Sequence, residues 1–223
     1  MLPHGIDRGS AVSKLKYYNF FECMLEINSI QWYYLLALTN YEAARKKMPI
    51  PGVTQPETIE VSNDIRLRKY DGNYDFAFSW YQDTELVYLV DGDRSPYDMD
   101  RLSRMYSYLD THGELYFIEA KEDGAYRPIG DVTFWQDDMP IVIGDSKYRG
   151  RGIGRLVISR LIERGRELGF GRLNVREIYS YNIASQRAFE SCGFVRDAET
   201  ENGFSYYIDL TEREGNMHAS DNS

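Results

Sequence analysis

Cysteine is nearly absent from this chain. Cys23 and Cys192 are the only two among 223 residues. They lie far apart and in no metal-ligand spacing, which excludes a disulfide framework and a thiolate metal centre and leaves a reduced, cytoplasmic setting as the simplest expectation. Histidine is as scarce: His4, His112 and His218 are scattered, two of them near the termini, and compose no metal site. Long hydrophobic runs are missing too. The longest, "WYYLLAL" at 32–38, falls well short of the roughly 20 apolar residues a membrane-spanning helix needs, so no membrane partner is expected. The N-terminus carries Asp7 and Arg8 and no apolar stretch ending in a cleavage signal, so no secretory leader is expected. Positive charge is in deficit, 26 Lys and Arg against 35 Asp and Glu, for a net charge of −9. Such a surface repels nucleic acid and attracts cations, which removes nucleic acid from the expected partners.

What the chain does have is enough apolar material for a core. Hydrophobic residues make up 43% of it, and its length suits one large domain, or one domain with an extension. Tyrosine is abundant, at 19 residues. A tyrosine-rich cleft can bind amines or sugars, although most tyrosines serve as half-buried packing.

Read along the chain, residues 1–60 are expected to form a helical extension and linker. Ser29 can cap a helix running to about Lys47, whose basic end suits a helix C-terminus, and "PIPGVTQPE" at 49–57 carries three prolines. A domain spanning 61–210 follows. Strands are expected at 64–70, 114–120, 126–135, 139–145, 172–179 and 204–210, and helices at 75–90, 97–110, 152–168 and 182–191. The 152–168 helix sets Ile153, Leu156, Val157 and Leu161 on one stripe, widened by Ile158 and Ile162. The tail 211–223 is polar and expected to be disordered. This order gives a mixed α/β fold, and no internal repeat is present.

One short stretch breaks the acidic trend. "KYRGRGIG" at 147–154 packs three glycines and three cations between a strand and an amphipathic helix. Successive glycines let backbone N–H groups converge, and the following helix adds its positive end, a combination that favours a phosphate. Arg149 and Arg151 can add charge. Gly154 is followed by Arg155–Leu156 instead of the Lys–Ser/Thr of a nucleoside-triphosphate loop. Val157 occupies the place of the third glycine in a dinucleotide-binding fingerprint. The other reading of the glycines is a turn that merely reverses the chain.

Arg149-x-x-Gly152-x-Gly154 matches Q/R-x-x-G-x-G/A, and this resembles the pyrophosphate motif of the GNAT acetyltransferase superfamily. "NIASQRAFESCGF" at 182–194 is similar to that family's Asn-led helix ending in Gly-Phe. "WYQDTEL" at 80–86 resembles the first-helix region of its ribosomal-protein N-terminal and aminoglycoside acetyltransferase branch. The resemblance covers roughly 64–210 in the order of elements, is carried by motifs in 141–194, and does not reach 1–60.

The resemblance implies a mainly antiparallel central sheet flanked by helices, with strands splayed at the acetyl-CoA site, and no metal. It implies that backbone N–H groups of Arg149, Gly150, Arg151, Gly152, Ile153 and Gly154 hold the pyrophosphate. Ile141, Val142 and Ile143 would pair with the pantetheine arm, a backbone N–H of Val142 or Ile143 would steady the carbonyl oxygen, and Asn182 would bond the arm while also suiting a plain helix cap. A carboxylate base is expected at Asp137 or Asp138, with Asp131 and Asp145 in reserve. The alternative for Asp137 and Asp138 is a solvated acidic turn. The family's proton-donating tyrosine falls at Phe189, which cannot donate. The implied activity is acetyl transfer to a primary amine of a small cationic molecule or of a protein N-terminus. The alternative is a non-catalytic acyl-CoA-binding module. A homodimer is possible through the N-terminal helix.

Overall fold

The computed structural model describes residues 49–211, which belong to the second of two units of the chain, 48–223. The helix expected from Ser29 to Lys47, the rest of the extension before residue 49, and the tail beyond 211 lie outside the described residues.

The elements run β1 (Thr58–Glu60), β2 (Ile65–Lys69), a 3-10 segment (Asp75–Gln82), α1 (Thr84–Asp91), α2 (Met99–His112), β3 (Glu114–Glu122), β4 (Ala125–Phe134), β5 (Ile141–Ile143), α3 (Ile153–Glu167), β6 (Arg172–Tyr179), α4 (Ile183–Ser191), β7 (Val195–Glu199) and β8 (Gly203–Asp209). They make two antiparallel sheets, one of five strands in the order β1-β2-β3-β4-β5 and one of three in the order β6-β8-β7. Among the described residues, no helix is long and apolar enough to cross a membrane.

Strand β3 shows why helices cover both faces. Glu114–Ala120 is buried without a break, as in a strand with no wet side. Tyr116, Ile118 and Ala120 join a core shared with α3 and α4, while Leu115 and Phe117 join a second core under α1 and α2. The two-residue period of a strand sends alternate side chains to opposite faces. Two buried carboxylates on β3 are both paired: Glu114 accepts from Arg164 at 2.8 and 3.2 Å, and Glu119 accepts from Arg66 and Arg68 at 2.7 Å each.

Several boundaries differ from the sequence reading. The helix expected over 75–90 is broken at Asp83. There the backbone turns extended and the carboxylate caps a fresh helix, accepting from the N–H groups of Glu85 and Leu86. Two strands were not foreseen. β1 follows a proline-rich stretch, yet Ile50 and Ile59 are buried and Gln55 donates to the Leu115 carbonyl at 2.9 Å. β7 is exposed along its whole length, so it carries no hydrophobic alternation to read. On α3, Leu156 is 44% exposed. At about 100° per residue it falls on the far side of the buried stripe formed by Ile153, Val157, Ile158, Leu161 and Ile162.

Candidate active site

The two sheets meet at one place and part from there. Asn174 donates its N–H to the Gln136 carbonyl at 2.9 Å, and the Arg176 N–H donates to Asp138 Oδ1 at 3.2 Å. Beyond this join β5 pairs with β4 alone, and β6 pairs with β8. A cleft of about 770 Å³ opens past the join, lined by Ile141, Val142 and Ile143 of β5, by residues 148–155 leading into α3, by Asn182 at the cap of α4 and Ala188 within it, and by Leu86 and Leu89 of α1.

The backbone of β5 has an orientation in this gap. Thr133 donates to the Pro140 carbonyl, and the register pairs Asp131 with Val142. In an antiparallel ladder the bonded pairs alternate. Val142 therefore turns its N–H toward β4, and Ile141 and Ile143 turn theirs toward the gap. Of the two N–H groups expected to meet a carbonyl oxygen, only that of Ile143 is so placed.

At the start of α3 the chain forms a bare cradle. Gly150 and Gly152 have φ of 73° and 78°, the left-handed region where glycine is favoured. A Cβ at Gly150 would meet nothing within 4 Å, and one at Gly152 would meet only Arg155 Nη2 at 3.4 Å. Gly152 is also the N-cap of α3, with no side-chain cap. The first-turn N–H groups, which a helix cannot satisfy by itself, therefore border open space in the cleft. A diphosphate fits such a site: donors and a positive helix end, with no side chain in the way.

Arg149 is used differently from the sequence expectation. Its N–H closes the preceding turn onto the Ser146 carbonyl at 3.3 Å. Its guanidinium donates to the carbonyls of Ile143 at 2.9 Å and Gly144 at 2.6 Å, and to Asp83 Oδ2 at 2.7 Å. Arg149 thus clamps the end of β5 to the cap of α1, and the cradle proper begins at Gly150. Arg151 is exposed beside the cradle, its guanidinium over the Tyr148 ring. Asn182 lines the cleft with both ends of its amide engaged. Oδ1 accepts from the Ser185 N–H, capping α4, and Nδ2 donates to the Leu89 carbonyl at 3.0 Å.

The carboxylates separate by environment. Asp137 is exposed. Asp138 is partly buried at the join of the sheets, where its Oδ1 accepts from the N–H groups of Met139 and Arg176; burial raises its pKa against those two bonds. Asp131 is buried below β5 and accepts through Oδ2 from Tyr106 at 3.0 Å and Tyr81 at 3.1 Å. Burial pushes it up to about 7, against the pull of the two hydroxyls. Asp145 caps the turn before the cradle, accepting from the Lys147 N–H. Phe189 is 1% exposed and packs edge-on against Phe194, so its helix neighbours Ser185, Ala188 and Ser191 line the cleft in its place. Among the described residues no cluster of His, Cys, Asp and Glu is arranged to hold a metal ion.

Comparison with known proteins agrees with the fold. No curated protein sequence matches the chain. Among solved structures, a domain from Methanocaldococcus jannaschii DSM 2661 is 22% identical with a TM-score of 0.57, covering 66% of this chain and 98% of its own. The microcin C7 self-immunity acetyltransferase MccE, solved with acetyl-CoA and AMP, is 18% identical with a TM-score of 0.57, covering 70% of this chain and 97% of its own. The aminoglycoside acetyltransferase AAC(6')-Ib, solved with coenzyme A, is 16% identical with a TM-score of 0.53, covering 66% and 95%. The sequence model of the Acetyltransferase (GNAT) family matches residues 74–194, from the 3-10 segment to the end of α4. The chain belongs to the GNAT acetyltransferase family.

Proposed function

We propose that this protein is an acetyl-CoA-dependent N-acetyltransferase that moves an acetyl group to a primary amine of a small cationic molecule or a protein N-terminus. The observation that carries the reading is the uncapped, side-chain-free start of α3 opening into the cleft lined by β5, α1 and α4. The N–H groups from Gly150 through Gly154 would hold the diphosphate of the coenzyme. The outward backbone of Ile141 and Ile143 would meet the amides of its arm as a neighbouring strand does. Bound there, acetyl-CoA supplies an activated acyl carbon and a thiolate leaving group. MccE and AAC(6')-Ib, solved with acetyl-CoA or coenzyme A, support this assignment.

The chain's own contributions follow from placement. Holding the amine against the acyl carbon supplies much of the rate by proximity. The Ile143 N–H is turned to receive charge on the carbonyl oxygen. Asp138 is the carboxylate best sited to take the amine proton. It stands where the sheets part, its Oδ1 is fixed by two N–H groups, and burial makes it more basic than a free carboxylate. No side chain in the place of the family tyrosine can protonate the thiolate. Water suffices, since a thiol with a pKa of about 8.5 is a tolerable leaving group.

Phe189 also favours a second reading, an acyl-CoA-binding module without turnover. One experiment separates the two: acetyl-CoA consumption by the full chain across polyamines, aminoglycosides and free-N-terminus peptides. Amine-dependent release of coenzyme A is the expected result. Tight acetyl-CoA binding with no release on any amine establishes the module instead.

A further inference from the structure

One exposed cation stands beside the proposed base. Arg172, Asn174 and Arg176 alternate along β6 with the buried Leu173 and Val175, so they share the face turned away from the core. Arg172 is engaged there: it pairs with Asp197 at 3.3 Å and lies over the Tyr207 ring at 3.6 Å. Arg176 is exposed, and among the described residues no carboxylate meets it at salt-bridge distance. Its backbone N–H donates to Asp138 Oδ1 at 3.2 Å, and its guanidinium lies over the Trp135 ring at 5.6 Å.

Trp135 makes that seat firm. It is buried, and its N–H donates to the Asp138 carbonyl at 3.3 Å. The ring stands so close to the chain before β3 that a Cβ at Gly113 would come within 2.5 Å of Trp135 Cε3. A ring packed this tightly has little room to move. The guanidinium is thus tied to Asp138 twice, by the backbone bond of its own residue and by an indole whose backbone bridges to the same aspartate.

The charges at the join are few. Asp137 and Arg176 are the two that act on Asp138; Trp135, Gln136, Met139 and Asn174, which complete the join, carry none. Burial pushes the Asp138 carboxyl up. The N–H groups of Arg176 and Met139 and the Arg176 charge draw it down, and Asp137 pushes it up again. Burial and a like charge alone would drive a carboxylate toward keeping its proton. A base that takes a proton from an amine has to be ionised first.

We propose that Arg176 is a positioning residue for the transfer: its guanidinium, seated on Trp135, keeps Asp138 ionised and ready to take the amine proton. The assignment rests on the reading of Asp138 as the base. It is a role for the charge, distinct from that of the Arg176 N–H, which a Gln at 176 would supply equally.

The test separates the charge from the base. Arg176→Gln and Arg176→Lys both keep the backbone bond to Asp138, and position 176 is exposed, so both should fold as the parent does. The Asp138 carboxyl is titrated by carboxyl-carbon NMR on the full chain without ligand, its resonance assigned by its loss in Asp138→Asn. The pH dependence of kcat/KM is measured with acetyl-CoA and whichever of spermine, kanamycin and a free-N-terminus peptide is turned over. In Arg176→Gln the Asp138 titration and the acidic limb of the rate profile should both move to higher pH. On that limb the rate should fall by about threefold, the scale of a partly exposed charge pair, and at high pH it should match the parent. Arg176→Lys should recover most of the loss, and about 0.5 M salt should shrink the gap between the parent and Arg176→Gln. An unmoved Asp138 titration in Arg176→Gln overturns the proposal. A titration that moves while the rate profile stays, or while no amine is turned over, refutes Asp138 as the base and the role of Arg176 with it.

Discussion

Arg149 donates through Nη1 to Asp83 Oδ2 at 2.7 Å, across 66 positions of sequence. One partner leads into the cradle at the start of α3, and the other caps α1, whose Leu86 and Leu89 line the same cleft. The bond thus joins the turn before the cradle to a helix that lines the same cleft. Asp83→Ala should cost about 1 kcal/mol as a lost helix cap. A cycle with Arg149→Met should show a coupling of about 0.5–1 kcal/mol, since each side chain is about a third exposed. The hydrogen bond from Arg149 holds the Asp83 carboxyl below its usual range. Its contribution to stability is therefore present above the unfolded pKa near 3.8 and is lost as pH falls through the folded value. Chemical denaturation of the four proteins at pH 7 and at pH 3 measures this: coupling at pH 7 that fades at pH 3 is the expected outcome.

Gly152 tests the cradle. Its φ of 78° costs a non-glycine residue roughly 1–2 kcal/mol, and the space a Cβ would enter is open. Gly152→Val should therefore stay folded with a modest loss of stability. Its branched side chain should fill the place of the diphosphate and weaken acetyl-CoA binding by tenfold or more, about 1.4 kcal/mol. Calorimetry on the folded variant checks this. Unchanged affinity would return the three glycines to the role of a simple turn.

Asp138 tests the proposed base. Asn keeps Oδ1 as acceptor for the N–H groups of Met139 and Arg176, so Asp138→Asn should preserve the join of the sheets and the affinity for acetyl-CoA. It should lower kcat by about 10²–10⁴-fold, the usual contribution of a general base, and remove the acidic limb of the pH–rate profile. Asp137→Asn, on an exposed side chain, should leave both near the parent. A parental pH profile in both variants would make the pair a structural turn.

How far the sequence carried these assignments varied with the kind of signal. The glycines of the cradle and the Asn182 cap are local features, and the structure holds them where the motif put them. The clamp by Arg149 was not legible, because its partners are two carbonyls and an aspartate far away in sequence. The break at Asp83 was hidden by apolar residues on both sides, although an aspartate followed by Thr84–Glu85 is a start signal for a helix. A second cleft, lined by Tyr88, Tyr179, Tyr181, Glu199 and Glu201, draws on three segments, and only the general excess of tyrosine hinted at it. Strand β7 has no buried residue, so no pattern of burial could announce it.

Asp131 yields a pH prediction of the opposite sign to Asp83. Burial raises its folded pKa to about 7, so the fold prefers the protonated acid. Stability is then highest below the unfolded pKa near 3.8, falls as pH rises, and levels above about 7. At about 1.4 kcal/mol per unit the loss is bounded near 4 kcal/mol. Asp131→Asn cannot ionise and keeps an acceptor for Tyr81 and Tyr106. Denaturation at pH 5 and pH 8 should show the parent losing more stability than the variant over that interval. An equal change in both would mean that Asp131 does not titrate there.

Phe189 stands where the family resemblance calls for a tyrosine that meets the coenzyme sulfur. In the fold it is 1% exposed, belongs to the core under α3 and α4, and packs edge-on against Phe194 with centroids 5.1 Å apart. The same core already holds the Tyr206 hydroxyl with no hydrogen-bond partner, so acceptors are scarce there. A hydroxyl added by Phe189→Tyr enters that environment, and a buried, unpaired hydroxyl costs roughly 1–3 kcal/mol. The expected variant folds, is less stable by about that amount in denaturant titration, and turns over no faster than the parent. Full stability with faster release of coenzyme A would mean that the new hydroxyl reaches the cleft and acts as the acid. Position 189 would then line the coenzyme site instead of the core, and the assignment of thiolate protonation to water would be wrong.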